Sequence, residues 1–118
     1  MEIGPKDNSL IMRLLDAASM RQNVIGHNVA NQNTPAFTRE VVRFEDLLRG
    51  ALERGESIEN VQPIVEGDFN SPRRADGNIV NMELELGALR ENRILYESYA
   101  AMLGGRFDLI RTAIESGR

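Results

Sequence analysis

The chain of 118 residues has no cysteine, which excludes a disulfide framework, a thiol nucleophile and any cysteine-ligated metal. The absence fits a reducing cytoplasm, and fits equally a protein that works in an oxidising compartment without mispairing. Tryptophan is missing too, and the aromatics come to four Phe and two Tyr. No apolar run approaches the roughly 20 residues that cross a bilayer. The start, Met1-Glu2-Ile3-Gly4-Pro5-Lys6-Asp7, lacks a basic segment followed by an apolar one, so it does not read as a Sec-type signal peptide. There is no excess of positive charge: 14 basic against 18 acidic residues give a net charge of −4, which argues against a nucleic-acid partner. The basic residues Arg73-Arg74, Arg106, Arg111 and Arg118 are interleaved with acids and read as solvated faces.

Catalytic constellations are equally scarce. The single histidine, His27, has Asn23, Val24, Ala30 and Asn31 at its helical neighbour positions, which gives it no companion His or carboxylate for a metal. Dinucleotide-binding, P-loop, zinc-protease and EF-hand patterns are absent. No serine is linked by a motif to His27 and an acid. Glu83 and Glu85, two residues apart, point to different faces of any helix that carries them. The expectation is a protein with no catalytic residues, metal, cofactor or small-molecule substrate.

What the sequence does have is a pair of heptad-like stripes, one at each end. The first runs Ile11, Leu15, Ala18, Gln22, Ile25, Val29, in steps of four and three with one polar member. The second runs Met82, Leu86, Leu89, Arg93, Tyr96, Ala100, Leu103, Phe107, Ile110, Ile114, broken only by Arg93. Such spacing puts every member on one seam of a helix, and a seam needs a partner. The simplest partner for one end is the other end; the next is a neighbouring subunit. The expected fold is mainly α, with long N- and C-terminal helices packed as an antiparallel coiled-coil-like pair around a short irregular, β-containing middle segment.

Four stretches follow from the local signals. Residues 1–9 read as a mobile leader, with Asn8 or Ser9 able to cap the helix behind it. Residues 10–40 hold the first helix, to about 30, and then an Asn-rich turn: Asn28, Asn31 and Asn33 favour turns, and Pro35 ends helical geometry at Thr34. Phe37, the one large apolar group after the turn, is expected to dock on a helix. Residues 41–80 form a variable middle, with a short strand within 38–43, a short helix over 44–54 stopped by Gly55, and a hairpin between 64–69 and 78–80 turned by Asp76-Gly77. Residues 81–118 form the last helix, capped by Asn81, with Glu83 and Glu85 in its first turn. Gly104-Gly105 sits inside that helix at about 1 kcal/mol per glycine relative to alanine. Close approach of another backbone, or a bend, would compensate; the alternative is a tolerated weak spot in a strongly patterned helix.

The turn carries a resemblance. Asn28-Val29-Ala30-Asn31-Gln32-Asn33-Thr34-Pro35-Ala36-Phe37 is similar to the signature of flagellar rod, hook and hook-associated axial proteins, matching it at Asn28, Ala30, Asn31, Thr34, Pro35 and Phe37. Ala36 stands where that family usually has glycine, so a turn needing φ > 0 there is strained. The segment Asp76-Gly77-Asn78-Ile79-Val80-Asn81-Met82-Glu83 and the later Leu103-Gly104-Gly105 resemble the short proximal-rod members of the same family. The short length also agrees with them, since hook and distal-rod members carry extra β domains.

The resemblance implies a structural subunit of the basal-body rod, in the periplasmic space, exported by the flagellar type III route. Its terminal helices would assemble into a tubular drive shaft joining the membrane ring and export gate to the rest of the rod. Its partners would be copies of itself, sibling rod proteins, and ring and gate proteins. The alternative reading is a cytoplasmic helical adaptor or dimerisation module, in which the turn match is fortuitous.

Overall fold

The computed structural model of the chain describes residues 5–117. Its elements in order are helix α1 (Pro5–Ala30), strand β1 (Glu40–Arg43), helix α2 (Glu45–Glu53), a 3-10 turn (Ile58–Asn60), strand β2 (Ile64–Gly67) and helix α3 (Met82–Ser116). The fold is mainly helical, with the two long terminal helices packed against each other. They run antiparallel: Asn28 near the end of α1 meets Glu85 at the start of α3, and Asn8 meets Arg106.

The first helix starts earlier than its capping residues suggest: residues 5–9, expected in the leader, are already helical. The rest of the leader, residues 1–4, lies outside the described residues. At the other end of the chain Asn81 caps α3 as expected, its Oδ1 accepting from the Glu83 and Leu84 N–H groups at 3.0 and 3.4 Å.

The middle segment packs on one side of α1. Phe44 is fully buried and clusters with Ala17 of α1 and Leu48 of α2, with Leu10, Leu14, Ile58 and Val61 around them. Helix α2 ends where Gly55 takes φ 69°, and the Gly55 and Glu56 N–H groups return to the Leu52 and Ala51 carbonyls at 3.2 and 2.9 Å.

The expected hairpin is wrong in its partner. Strand β2 pairs antiparallel with β1, from Glu40 opposite Gly67 to Arg43 opposite Ile64, and not with residues 78–80. Asp76-Gly77 does turn the chain, with Gly77 at φ 81°. That turn folds residues 74–78 on themselves, the Gly77 N–H reaching the Arg74 carbonyl at 2.9 Å and the Arg74 N–H the Asn78 carbonyl at 2.8 Å. With its own carbonyl used there, Asn78 is not free to form a ladder with β2, whereas β1 is.

The face of α3 turned inward also differs from the expected seam. Its buried and half-buried positions run Met82, Glu85, Ala88, Leu89, Asn92, Leu95, Tyr99, Leu103, Arg106, Ile110. Apart from Met82, Leu89, Leu103 and Ile110, which belong to the stripe, each of these lies one residue before a stripe member, a rotation of about 100° on a helix of 3.6 residues per turn. Of the stripe, Met82, Leu89, Leu103 and Ile110 are half-buried. Leu86, Tyr96, Phe107 and Ile114 are 41–61% exposed, and Ala100 is exposed with them. Hydrogen bonds set the rotation: Asn92 Nδ2 donates to the Ala18 carbonyl at 2.8 Å, and this requires Asn92 to face α1. On α1 the stripe is turned inward, with Ile11, Ala18 and Ile25 buried and Leu15 and Val29 half-buried. Gly104 and Gly105 are exposed, and a Cβ on either would meet nothing within 4 Å, so packing within the chain requires neither.

The molecule spans 68 × 29 × 14 Å with a radius of gyration of 18.2 Å. A compact chain of this length would have about 13.5 Å. Much of each helix therefore lacks a second layer, and the exposed stripe on α3 is the result.

Candidate assembly site

The Asn-rich turn is held by side chains that replace missing backbone partners. Asn28 is fully buried and treats β1 as a neighbouring strand would: its Nδ2 donates to the Glu40 carbonyl at 2.8 Å, and its Oδ1 accepts from the Glu40 N–H at 2.9 Å. Asn31 caps the end of α1, donating from Nδ2 to the His27 carbonyl at 2.8 Å and accepting from Thr34 Oγ1 at 3.1 Å. Helix ends leave carbonyls without partners, and this is one remedy. Phe37 docks edge-on against His27, ring centroids 5.6 Å apart, so the lone histidine serves packing. Ala30 and Pro35 are exposed, which leaves them no role in the core.

Asn78 reaches three carbonyls of the turn, each of which also accepts from another group. Its buried Nδ2 lies 2.9, 3.3 and 2.6 Å from the carbonyl oxygens of Asn31, Gln32 and Thr34, while its Oδ1 accepts from the Val80 N–H at 2.6 Å. The Asp76-Gly77 turn is thereby pressed onto the first turn, and a Cβ at Gly77 would come within 3.3 Å of Ala36 Cα.

Ala36 itself has φ 60°, the one non-glycine residue with positive φ among those described. Left-handed geometry costs a residue with a Cβ about 1–2 kcal/mol. Ala36→Gly removes that cost and gives back part of it as extra freedom of the unfolded chain. The expected outcome is a net gain of about 0.5–1 kcal/mol, visible as a higher urea midpoint at unchanged slope.

Beneath the turn lies a buried ionic cluster. Arg39 donates from Nε to Glu85 Oε1 at 2.5 Å and from Nη1 to Asp68 Oδ2 at 2.8 Å. The Glu85 side chain is fully buried, and Asn28 Nδ2 approaches its other oxygen at 3.4 Å. The cluster thus ties β1, the loop after β2, α1 and α3 together at one end of the helix pair.

No protein-family model matches the chain. Curated relatives do. A flagellar basal body rod protein FlgB from Borreliella burgdorferi is 30% identical over 104 residues, which cover 71% of this chain and 77% of that one. The protein of the same name from Borrelia hermsii is 29% identical across 98% of the chain and all of the relative. That from Bacillus subtilis is 27% identical over 88% and 89% of the two chains.

The chain belongs to the FlgB family of flagellar basal body rod proteins. It is accordingly a structural component of the rod and not an enzyme. Among the described residues, no helix is long and apolar enough to cross a membrane. Within this FlgB-family fold, Asn28, Asn31, Thr34 and Phe37 of the sequence signature are brought together by the geometry just given.

Sequence reading missed Arg39, Asp68, Asn78 and Asn92, and assigned Glu85 only to a helix start. Asn78 was within reach, because it follows a turn dipeptide and precedes two apolar residues, Ile79 and Val80, that are themselves buried.

Asp68 supplies an acid-sensitive contact. Hydrogen bonds from Ser71 Oγ and Arg39, with the Asn70 and Ser71 N–H groups, hold its carboxyl below the usual range, down to about 2. A depressed carboxylate stabilises the fold fully above its unfolded value of 3.8 and loses that contribution as pH falls toward 2. The linkage amounts to about 2 kcal/mol. Urea melts between pH 5 and pH 2 should therefore show a decline that is shallower by about this amount in Asp68→Asn.

Proposed function

We propose that the chain is a subunit of the proximal rod, built through its terminal helices into the wall of a tubular drive shaft. In this reading it joins the membrane ring and export gate to the rest of the rod. It reaches the periplasmic space through the flagellar export channel, and its partners are copies of itself, sibling rod proteins and the ring and gate components. Family membership supports the rod itself. The observation that carries the assembly role is the apolar stripe on α3 that its own α1 leaves uncovered, from Leu86 through Tyr96 and Ala100 to Phe107 and Ile114.

A stripe repeated in steps of four and three over this length is suited to another helix along its whole course. Exposed apolar surface of that extent marks an interaction site. Heterologous contacts that do not close on themselves would then give a helical tube. Gly104 and Gly105, open on the same helix, would let a neighbouring backbone approach closely.

Phe107→Asp tests this reading, because Phe107 is 54% exposed and its loss leaves the chain's own core intact. Expected are normal expression and helicity, with no rods or filaments and no swimming in a strain carrying only this variant. Normal filaments in that strain would sink the assembly role of the stripe.

A further inference from the structure

Strand β2 pairs with β1 on one side, and its far edge is open. The Asp68 N–H donates to the Arg39 carbonyl at 2.8 Å, so residues 39 and 68 form a hydrogen-bonded pair of the ladder. Such pairs alternate in an antiparallel ladder. In this register Val65 and Gly67 therefore turn their N–H and C=O groups away from β1. Among the described residues, none of these four groups meets a partner. The opposite edge of the ribbon is closed, because Asn28 holds the matching groups of Glu40.

The open edge is apolar. Ile64 and Val65 are exposed on it, and Phe69, just past the strand, is 76% exposed. Phe69 is nonetheless held in place. Asp68 Oδ1 accepts from the Asn70 and Ser71 N–H groups at 3.0 and 3.2 Å, and its Oδ2 from Ser71 Oγ at 2.6 Å. The ring lies so close over Gly67 that a Cβ there would meet it at 2.9 Å. A large ring fixed in water suits an anchor at an interface. No lysine, proline or bulge protects Ile64–Gly67. A ribbon of two such short strands is marginal, and a third strand would strengthen it.

A second copy of the chain does not fit as that strand. Each copy offers only this one edge, and two identical edges pair about a twofold axis, which closes at two molecules and does not extend along a rod. The surroundings also carry charge of one sign: residues 55–72 include Glu56, Glu59, Glu66 and Asp68 and no basic residue.

We propose that the edge of β2 takes, as a third strand, an extended segment of a different protein, apolar at alternate positions and flanked by basic residues. Its backbone would pair with Val65 and Gly67, and its apolar side chains would lie against Val65 and Phe69. The inference rests on membership of the rod and not on the α3 stripe. Rods that assemble but show no contact at this edge would count against the edge alone.

Photo-crosslinking in assembled rods tests it. A strain making only this chain, with benzoylphenylalanine in place of Ile64, is irradiated, and the joined peptides are sequenced from purified basal bodies. Expected is one defined segment of a different basal-body protein, with the apolar alternation and basic flank just described. Phe69→Ser should lower the yield about tenfold without loss of rods, as expected for one truncated anchor. Val65→Pro should do the same, because it removes an outward N–H and spares the ladder to β1, whereas Val65→Thr should not. If Val65→Pro chains do not enter rods, Phe69→Ser decides alone. Cross-links to another copy of this chain, to a segment without that pattern or to nothing would overturn the proposal. So would an unchanged yield in Phe69→Ser.

Discussion

Arg39→Met is expected to destabilise the chain by about 3–5 kcal/mol, a large share of the roughly 5–15 kcal/mol that holds a domain folded. The cost does not come from losing attraction alone. Glu85 has no exposed side-chain surface, and without Arg39 its carboxylate keeps only the distant Asn28 amide. Taking a charge out of water and then removing its counterion is what makes such truncations severe.

The same reasoning predicts a rescue. Arg39→Met/Glu85→Leu removes both charges and fills the space with apolar atoms, so it should recover most of the loss. Asp68 stays tolerable in the double variant because Ser71 and two backbone N–H groups still serve it. Urea denaturation of the four chains of this cycle measures the coupling, which should be several kcal/mol and opposite in sign to the single losses. Additive single and double effects would show that the two groups do not act as a pair.

Asn78→Asp should cost about 3 kcal/mol at neutral pH, although it changes one atom and no volume. The amide nitrogen faces three carbonyl oxygens, and a carboxylate there presents lone pairs to lone pairs in a buried site. The three oxygens keep the Thr34 and Phe37 N–H groups and Arg74 as donors, so the cost is that of a buried polar group without its own hydrogen bonds, about 1–3 kcal/mol and more when it is charged.

The loss should shrink in acid, judged against the unaltered chain at the same pH. A carboxyl that the fold prefers neutral has a raised folded pKa, so its penalty is full above that value and fades below the unfolded one. The contrast is Asn81→Asp, three residues on. Asn81 accepts from two N–H groups at the start of α3, where a carboxylate serves as well or better. That variant should lie within about 0.5 kcal/mol of the original at pH 7. Equal losses at the two positions would mean that burial of Asn78, and not its donor, is what matters.

The sequence by itself determined the local elements, because their causes are local. Alternation of four and three set the two long helices, Asn81 set where the second begins, Gly55 set where α2 stops, and the asparagines with Pro35 set the turn. The turn signature led to the axial-protein family, and Ala36 in its glycine position was readable as strain before the backbone was seen. Which residues then met across the chain was decided by the tertiary structure. Apolar spacing on α3 pointed to Tyr96 and Phe107, whereas the inward face carries Glu85, Asn92 and Arg106. Hydropathy cannot distinguish a polar group bathed in water from one satisfied by a partner dozens of residues away, and that partner exists only once the chain has folded. The choice of β1 over residues 78–80 for β2 has the same origin, since strand pairing is settled by which backbone groups the rest of the fold has left unused.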